Sequence, residues 1–219
     1  MRVALFGGSF DPPHIGHQLA CLYVLETHPV DEVWIMPVFR HAFDKRSAPF
    51  AHRVAMCQRM AAALGPRVRV STVEEQLGGP SYTLVTVQAL QKQHPEHAFS
   101  LVIGSDLVRE RERWFNFPEL AQRVPFIVLG RGGGLSTRPS LHDGAGAGTE
   151  GVSTGAVVPT DVYHAEPVEL PAVSSTEVRA RLAAASHTGQ LPTGWVPRSV
   201  LAYIQEQRLY LGTEPTGNG

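Results

Sequence analysis

The sequence predicts an α/β fold built on a doubly wound, parallel sheet. Three observations predict it. Short apolar runs with strand character alternate with stretches of helical periodicity. Several of these runs are apolar without interruption, which suits strands buried on both faces. A stretch rich in glycine, proline and histidine, Gly7–Gln18, separates the first apolar run from the first helical pattern. Open parallel sheets bind their ligands at such a place.

Taken in order, Arg2–Phe6 ("RVALF") reads as the first strand and His14–Glu26 as the first helix. Val33–Val38 ("VWIMPV") is the second strand and His52–Leu64 the second helix. Arg67–Val73 ("RVRVSTV") alternates apolar and polar residues, as a strand would. Tyr82–Gln93 is helical in pattern. Phe99–Ile103 and Phe126–Leu129 are continuous apolar strands, with a short helix at Pro118–Gln122 between them, and Val168–Leu170 is a candidate sixth strand. Two helices close the chain. Thr176–Ala185 is one. Pro197–Gln207 is the other, with Pro197 suited to a first turn and Val200, Leu201 and Ile204 forming the buried stripe.

The length of 219 residues favours one large domain, predicted to span 1–211. A glycine-rich loop at about 130–161 interrupts the pattern, and residues 212–219 read as a flexible tail. A net charge of −1 gives no broad electrostatic footprint for nucleic acid or an anionic membrane. No apolar run approaches the roughly 20 residues of a membrane span, and Met1-Arg2 leads straight into a strand without a signal segment. Cys21 and Cys57 fall in apolar helical patterns and read as buried residues in a reducing compartment. The expected location is the cytoplasm. Oligomeric state is not legible.

Three stretches carry chemistry. In "GGSFDPPHIGHQ", Gly7 and Gly8 let the backbone turn and present N–H donors to phosphate. His14 and His17 are three apart and would share a helix face, with Gly16 keeping that face open. The glycines could equally serve a tight turn, and the histidines could cap or pack. As an HxxH pair they lack a third metal ligand at a telling spacing. In "SSTEVRARL", Ser174 and Glu177 form a capping box that starts a helix. The same N–H groups, with the hydroxyls of Ser174, Ser175 and Thr176, make an anion site that Arg179 could reach. In "VIGSDL", Gly104 and Asp106 follow the fourth strand. A carboxylate there suits ribose hydroxyls, or else caps the next helix.

Together the stretches resemble the nucleotidyltransferase superfamily marked by HxGH, here His14–His17, and by a late SSTxxR, here "SSTEVR". Within it the chain is most similar to the bacterial nicotinate mononucleotide adenylyltransferases. The shared features are "GGSFDPPHIGH", "SYTLVTVQAL", "IGSDL", Trp114 and "VPRSVLAYIQEQRLY". The resemblance implies a Rossmann-like sheet of the nucleotidyltransferase type. It implies adenylyl transfer from ATP to nicotinate mononucleotide, with nicotinamide mononucleotide as a possible second acceptor, as a step of NAD synthesis. Mg²⁺ would arrive with ATP. It places Gly7, Gly8, Ser9, Phe10, His14 and His17 at the triphosphate, and Gly104 and Asp106 at the ribose. Ser174, Ser175, Thr176 and Arg179 fall at the far phosphates, with His14, His17 and Arg179 as the catalytic groups. Lys45, Thr83, Trp114 and Arg131 face the pyridine mononucleotide, although Trp114 could also serve only packing. Where the bacterial family carries PPHK, this chain has "PVFRHAFDK", closer to the PVxDAYKK of nicotinamide-mononucleotide-using relatives. Rival readings are a pantetheine-phosphate adenylyltransferase, a class I aminoacyl-tRNA synthetase remnant without a KMSKS-like segment, and a non-enzymatic nucleotide sensor.

Overall fold

The structure is a computed structural model. It describes residues 1–40, 47–105, 114–130 and 170–211, and the backbone of 163–164. The elements are β1 (Arg2–Gly8), α1 (Ile15–Thr27), β2 (Glu32–Pro37), α2 (Phe50–Leu64), β3 (Val68–Val70), α3 (Val73–Leu77) and α4 (Thr83–Gln93). They continue with β4 (Ala98–Gly104), α5 (Phe117–Arg123), β5 (Phe126–Leu129), β6 (Tyr163–His164), α6 (Ser175–Thr188) and α7 (Arg198–Glu206).

All strand pairs are parallel, in the order β3-β2-β1-β4-β5-β6. The sheet therefore reverses its winding between β1 and β4, whose register runs from Arg2 opposite Ala98 to Phe6 opposite Val102. The carboxyl ends of these two strands flank the crevice where such folds take ligands.

Alternation along each strand explains the continuous apolar runs, because both faces are covered. Val3 and Leu5 point to one face with Trp34, Leu101, Leu84, Val87, Leu90 and Leu120. Ala4 points to the other with Val33, Ile35, Val102, Cys21, Cys57, Met60, Leu182 and Ile204. The helices α3, α4 and α5 cover the first face, and α1, α2, α6 and α7 the second. Both cysteines are fully buried, and burial pushes the Cys21 thiol up to about 12.

The third strand differs from its sequence reading. The alternating run Arg67–Val73 is a strand only at Val68–Val70. The Ser71 N–H still bonds the Ile35 carbonyl at 2.9 Å, but Thr72 then caps α3, which stops at Gly78 in the left-handed region (φ 70°). A two-residue strand, Tyr163–His164, pairs with Ile127 and Val128. Residues 168 and 169 lie outside the described residues, as do most of the glycine-rich stretch and the tail from 212 onward. No described helix is long and apolar enough to cross a membrane.

Candidate active site

The first strand hands the chain to a loop whose shape is set by packing. Phe10 sits in the left-handed region (φ 47°), which costs a non-glycine residue about 1–2 kcal/mol. Its ring is buried edge-on against Phe6 at 5.5 Å and His17 at 4.9 Å, which holds the turn. A Cβ on Gly8 would stand 3.2 Å from the Phe10 ring. At Gly7 the nearest atom would be Met36 Cε at 3.9 Å, an ordinary contact, so packing does not demand glycine there.

The histidines meet at a helix cap, one of the roles the sequence left open, and not as neighbours on one helix face. His14 is not on the helix face. It is the N-cap of α1, in extended backbone (φ −135°, ψ 175°). His17, at the third helical position, folds back so that the two imidazoles stack, with centroids 3.7 Å apart. The His14 N–H donates to His17 Nδ1 at 3.2 Å. An accepting Nδ1 leaves the proton of neutral His17 on Nε2, so this ring offers a donor from its other nitrogen. Gly16 has a different reason as well. A Cβ there would meet His14 Nδ1 at 3.1 Å, so the glycine makes room for the imidazole and not directly for a ligand.

The late motif docks onto this loop. Ser174 is the N-cap of α6, and its Oγ accepts from the Glu177 N–H at 3.2 Å. Ser175 Oγ donates to the Pro12 carbonyl at 3.0 Å. Arg179 Nη1 donates to the Asp11 carbonyl at 2.6 Å and lies 3.5 Å from Asp11 Oδ2, while its Nη2 donates to Thr176 Oγ1 at 3.3 Å. Ser175 and Arg179 thus bond the loop that leads into His14–His17, while Ser174 and Thr176 bond within α6 and its cap. The Ser175 hydroxyl is engaged in holding the two segments together, and the Ser174 hydroxyl in capping its own helix.

Sequence reasoning missed the groups that brace the loop. Asp11 is 1% exposed, and its Oδ1 accepts from the Ala48 N–H at 3.1 Å and the Tyr210 hydroxyl at 2.7 Å. Burial, with Asp11 as acceptor, pushes the Tyr210 phenol well above its ordinary range. Arg53, 2% exposed, donates to the carbonyls of Ser9, Ala48 and Phe39 at 2.9, 2.9 and 3.5 Å. It ties the loop after β1 to both flanks of residues 41–46. Desolvation lowers its pKa, opposed chiefly by the Asp11 charge. Nothing in composition singles these residues out. Asp11 and Tyr210 lay inside the quoted stretches "GGSFDPPHIGH" and "VPRSVLAYIQEQRLY", whereas Arg53 lay in none.

The residues that the resemblance assigns to the pyridine mononucleotide fall, where described, on α4 and the segment before α5, with α3 beside them. Ser81 Oγ accepts from the N–H groups of Phe39 and Arg40 at 3.2 and 3.3 Å. Glu74, buried, accepts from Phe39 N–H at 2.9 Å and from Thr86 Oγ1 at 3.3 Å, and burial raises its pKa. Half-buried Thr83 opens α4. Beside it, exposed Tyr82 packs on exposed Phe115 at 5.0 Å, next to Trp114. Trp114 is half-buried, and its ring meets Phe117 edge-on at 6.3 Å, so it does serve packing. Gly104 lies at the end of β4, opposite Leu129 in β5. Lys45, Asp106 and Arg131 lie outside the described residues.

A switch-point crevice, a glycine loop and an arginine-bearing helix start docked beside paired histidines define a nucleotidyltransferase site. A family model described as cytidylyltransferase-like matches residues 5–181, and the chain belongs to that family. A protein of Anaeromyxobacter dehalogenans (strain 2CP-C), named a probable nicotinate-nucleotide adenylyltransferase, is 38% identical over 214 residues, covering 96% of this chain and 97% of that one. One of the same name from Salinibacter ruber is 38% identical over 216 residues, covering 98% and 100%. This chain is a member of the nicotinate-nucleotide adenylyltransferase family. The fold also matches the Plasmodium falciparum nicotinic acid mononucleotide adenylyltransferase complexed with NaAD. That match has a TM-score of 0.70 and 18% identity, over 95% of this chain and 97% of that one.

Proposed function

We propose that the protein transfers the adenylyl group of ATP to nicotinate mononucleotide. A phosphate oxygen of the mononucleotide forms a bond to the α-phosphorus of ATP, the bond to the β-phosphate breaks, and pyrophosphate leaves with the dinucleotide formed. The observation that carries this reading is the docking of Ser175 and Arg179 onto the Pro12 and Asp11 carbonyls beside the stacked His14–His17 pair. Membership of the family supplies the substrates.

In this reading no covalent enzyme intermediate forms, and the protein orients and stabilises charge. His17 Nε2–H donates to a phosphate oxygen as charge shifts toward pyrophosphate, with His14 stacked behind it. Arg179 turns its remaining N–H donors to the outer phosphates. The backbone at Gly7 to Phe10 lies along the triphosphate, and Gly104 with Asp106 meets the ribose. Thr83 and Trp114 face the pyridine, with Lys45 and Arg131 toward its phosphate. Mg²⁺ comes as MgATP. Asp11, the carboxylate in the described part of the loop, is committed to Ala48, Tyr210 and Arg179, which suits an ion that keeps its waters. The small-molecule partners are ATP and the mononucleotide.

A second acceptor, nicotinamide mononucleotide, is favoured by one observation, the stretch "PVFRHAFDK" in place of PPHK. The test is pyrophosphate release with MgATP and each mononucleotide in parallel, with the dinucleotide identified by mass. The expected result is a higher kcat/KM with the acid. A higher value with the amide would reverse the preference. No release with either from folded, ATP-binding protein would overturn the reaction.

A further inference from the structure

At the opposite end of the sheet, His94, Glu96 and His97 offer three ligand atoms that lie within 4.8 Å of one another. We propose that this cluster binds one divalent transition-metal ion of the zinc class, at a site separate from the nucleotide crevice. The turn that makes it is well defined. The His97 N–H bonds the His94 carbonyl at 3.0 Å, and Pro95 occupies the second turn position, where its fixed φ is preferred. The turn sets the two imidazoles side by side, 5.2 Å between centroids and 18° between planes. Glu96 Oε1 lies 3.0 Å from His97 Nδ1 and 3.9 Å from His94 Nδ1.

Donors bound to tetrahedral zinc at about 2.0–2.2 Å stand about 3.4 Å apart, so these groups need only small rotations to share an ion. The rings are also held from behind. Trp34 meets His94 edge-on at 5.2 Å and His97 at 5.9 Å. The indole N–H is itself fixed by Glu32 at 2.8 Å, which pairs with Arg69 at 2.8 Å. Two imidazoles and one carboxylate select zinc, cobalt, nickel or copper over Mg²⁺. The cluster precedes Ala98, where β4 begins, whereas the nucleotide crevice lies past Gly104, where β4 ends. The ion therefore ties the end of α4 to the start of β4 and takes no part in adenylyl transfer.

The test is calorimetric titration of the metal-free full chain with Zn²⁺ in excess Mg²⁺, alongside Co²⁺ titration read by visible absorption and tryptophan fluorescence. The expected result is one equivalent bound, a raised Tm, and quenching by Co²⁺ that Trp34→Phe removes. His94→Gln, at a half-buried residue, and Glu96→Gln, at an exposed one, should weaken Zn²⁺ by about tenfold or more while leaving turnover with MgATP unchanged. Absence of stoichiometric binding, or undiminished binding in both folded variants, would overturn the proposal.

Discussion

Arg179 reaches across 168 residues of sequence to donate to the Asp11 carbonyl at 2.6 Å, with the Asp11 carboxylate 3.5 Å away. The guanidinium is thus aimed by the loop it serves. A lysine would keep the charge but lose the fork that spans the Asp11 carbonyl and Thr176. Arg179→Lys should keep the fold, raise the KM for ATP and lower kcat by about tenfold to a hundredfold. Steady-state kinetics with circular dichroism would check both parts. Turnover equal to the parent would remove the arginine from the chemistry.

His17→Ala should lower turnover by a factor of about 10²–10³, the usual loss for one donor to developing charge, with little change in Tm. Single-turnover kinetics would separate the chemical step from binding. A loss confined to KM would instead make His17 a binding group.

Gly16→Ala tests the space taken by the His14 ring. Alanine favours the helix by up to about 1 kcal/mol over glycine, yet its Cβ would fall 3.1 Å from His14 Nδ1. Stability should hold or rise while kcat falls, and a nitrogen-15 histidine spectrum should show the imidazole displaced. Unchanged kcat would mean that the ring position is tolerant.

Glu74 gives a pH dependence with a definite sign. Its folded pKa is raised by burial, so its contribution to stability is full below the ordinary glutamate pKa of about 4.3 and is lost as pH rises through the folded value. Glu74→Gln can still accept from Phe39 N–H without a charge to desolvate. Tm of the variant should exceed the parent at neutral pH, and the gap should close on acidification. A gap independent of pH would show that Glu74 is not the titrating group.

Tyr210→Phe removes the 2.7 Å bond to buried Asp11 and should cost about 1–2 kcal/mol in denaturant unfolding. A loss near zero would mean that water replaces the hydroxyl.

The sheet was legible because burial on both faces writes itself as uninterrupted runs such as Phe126–Leu129, which became β5 with the same bounds. Ends were less so. "RVRVSTV" alternates through to Val73, but Thr72 and Glu75 carry the helix-start pattern that wins from Val73 onward. A two-residue strand at Tyr163–His164 has too few side chains to show a period. The motif histidines were visible, but their stacking was not, since it depends on an extended N-cap and not on helix spacing. Arg53 was invisible for another reason. Its hydrogen bonds go to carbonyls of Ser9, Phe39 and Ala48, and main-chain acceptors leave no trace in composition.

The bond between Asp11 and Tyr210 closes a loop of 199 residues. During synthesis the glycine turn, the histidines and Arg53 all emerge long before the tyrosine that completes their bracing. The N-terminal strands can pair while the pocket beside them is still open on one side. The bracing of the loop is therefore complete only once Tyr210 has emerged, and α7 and its following turn act as a seal on a vessel already built.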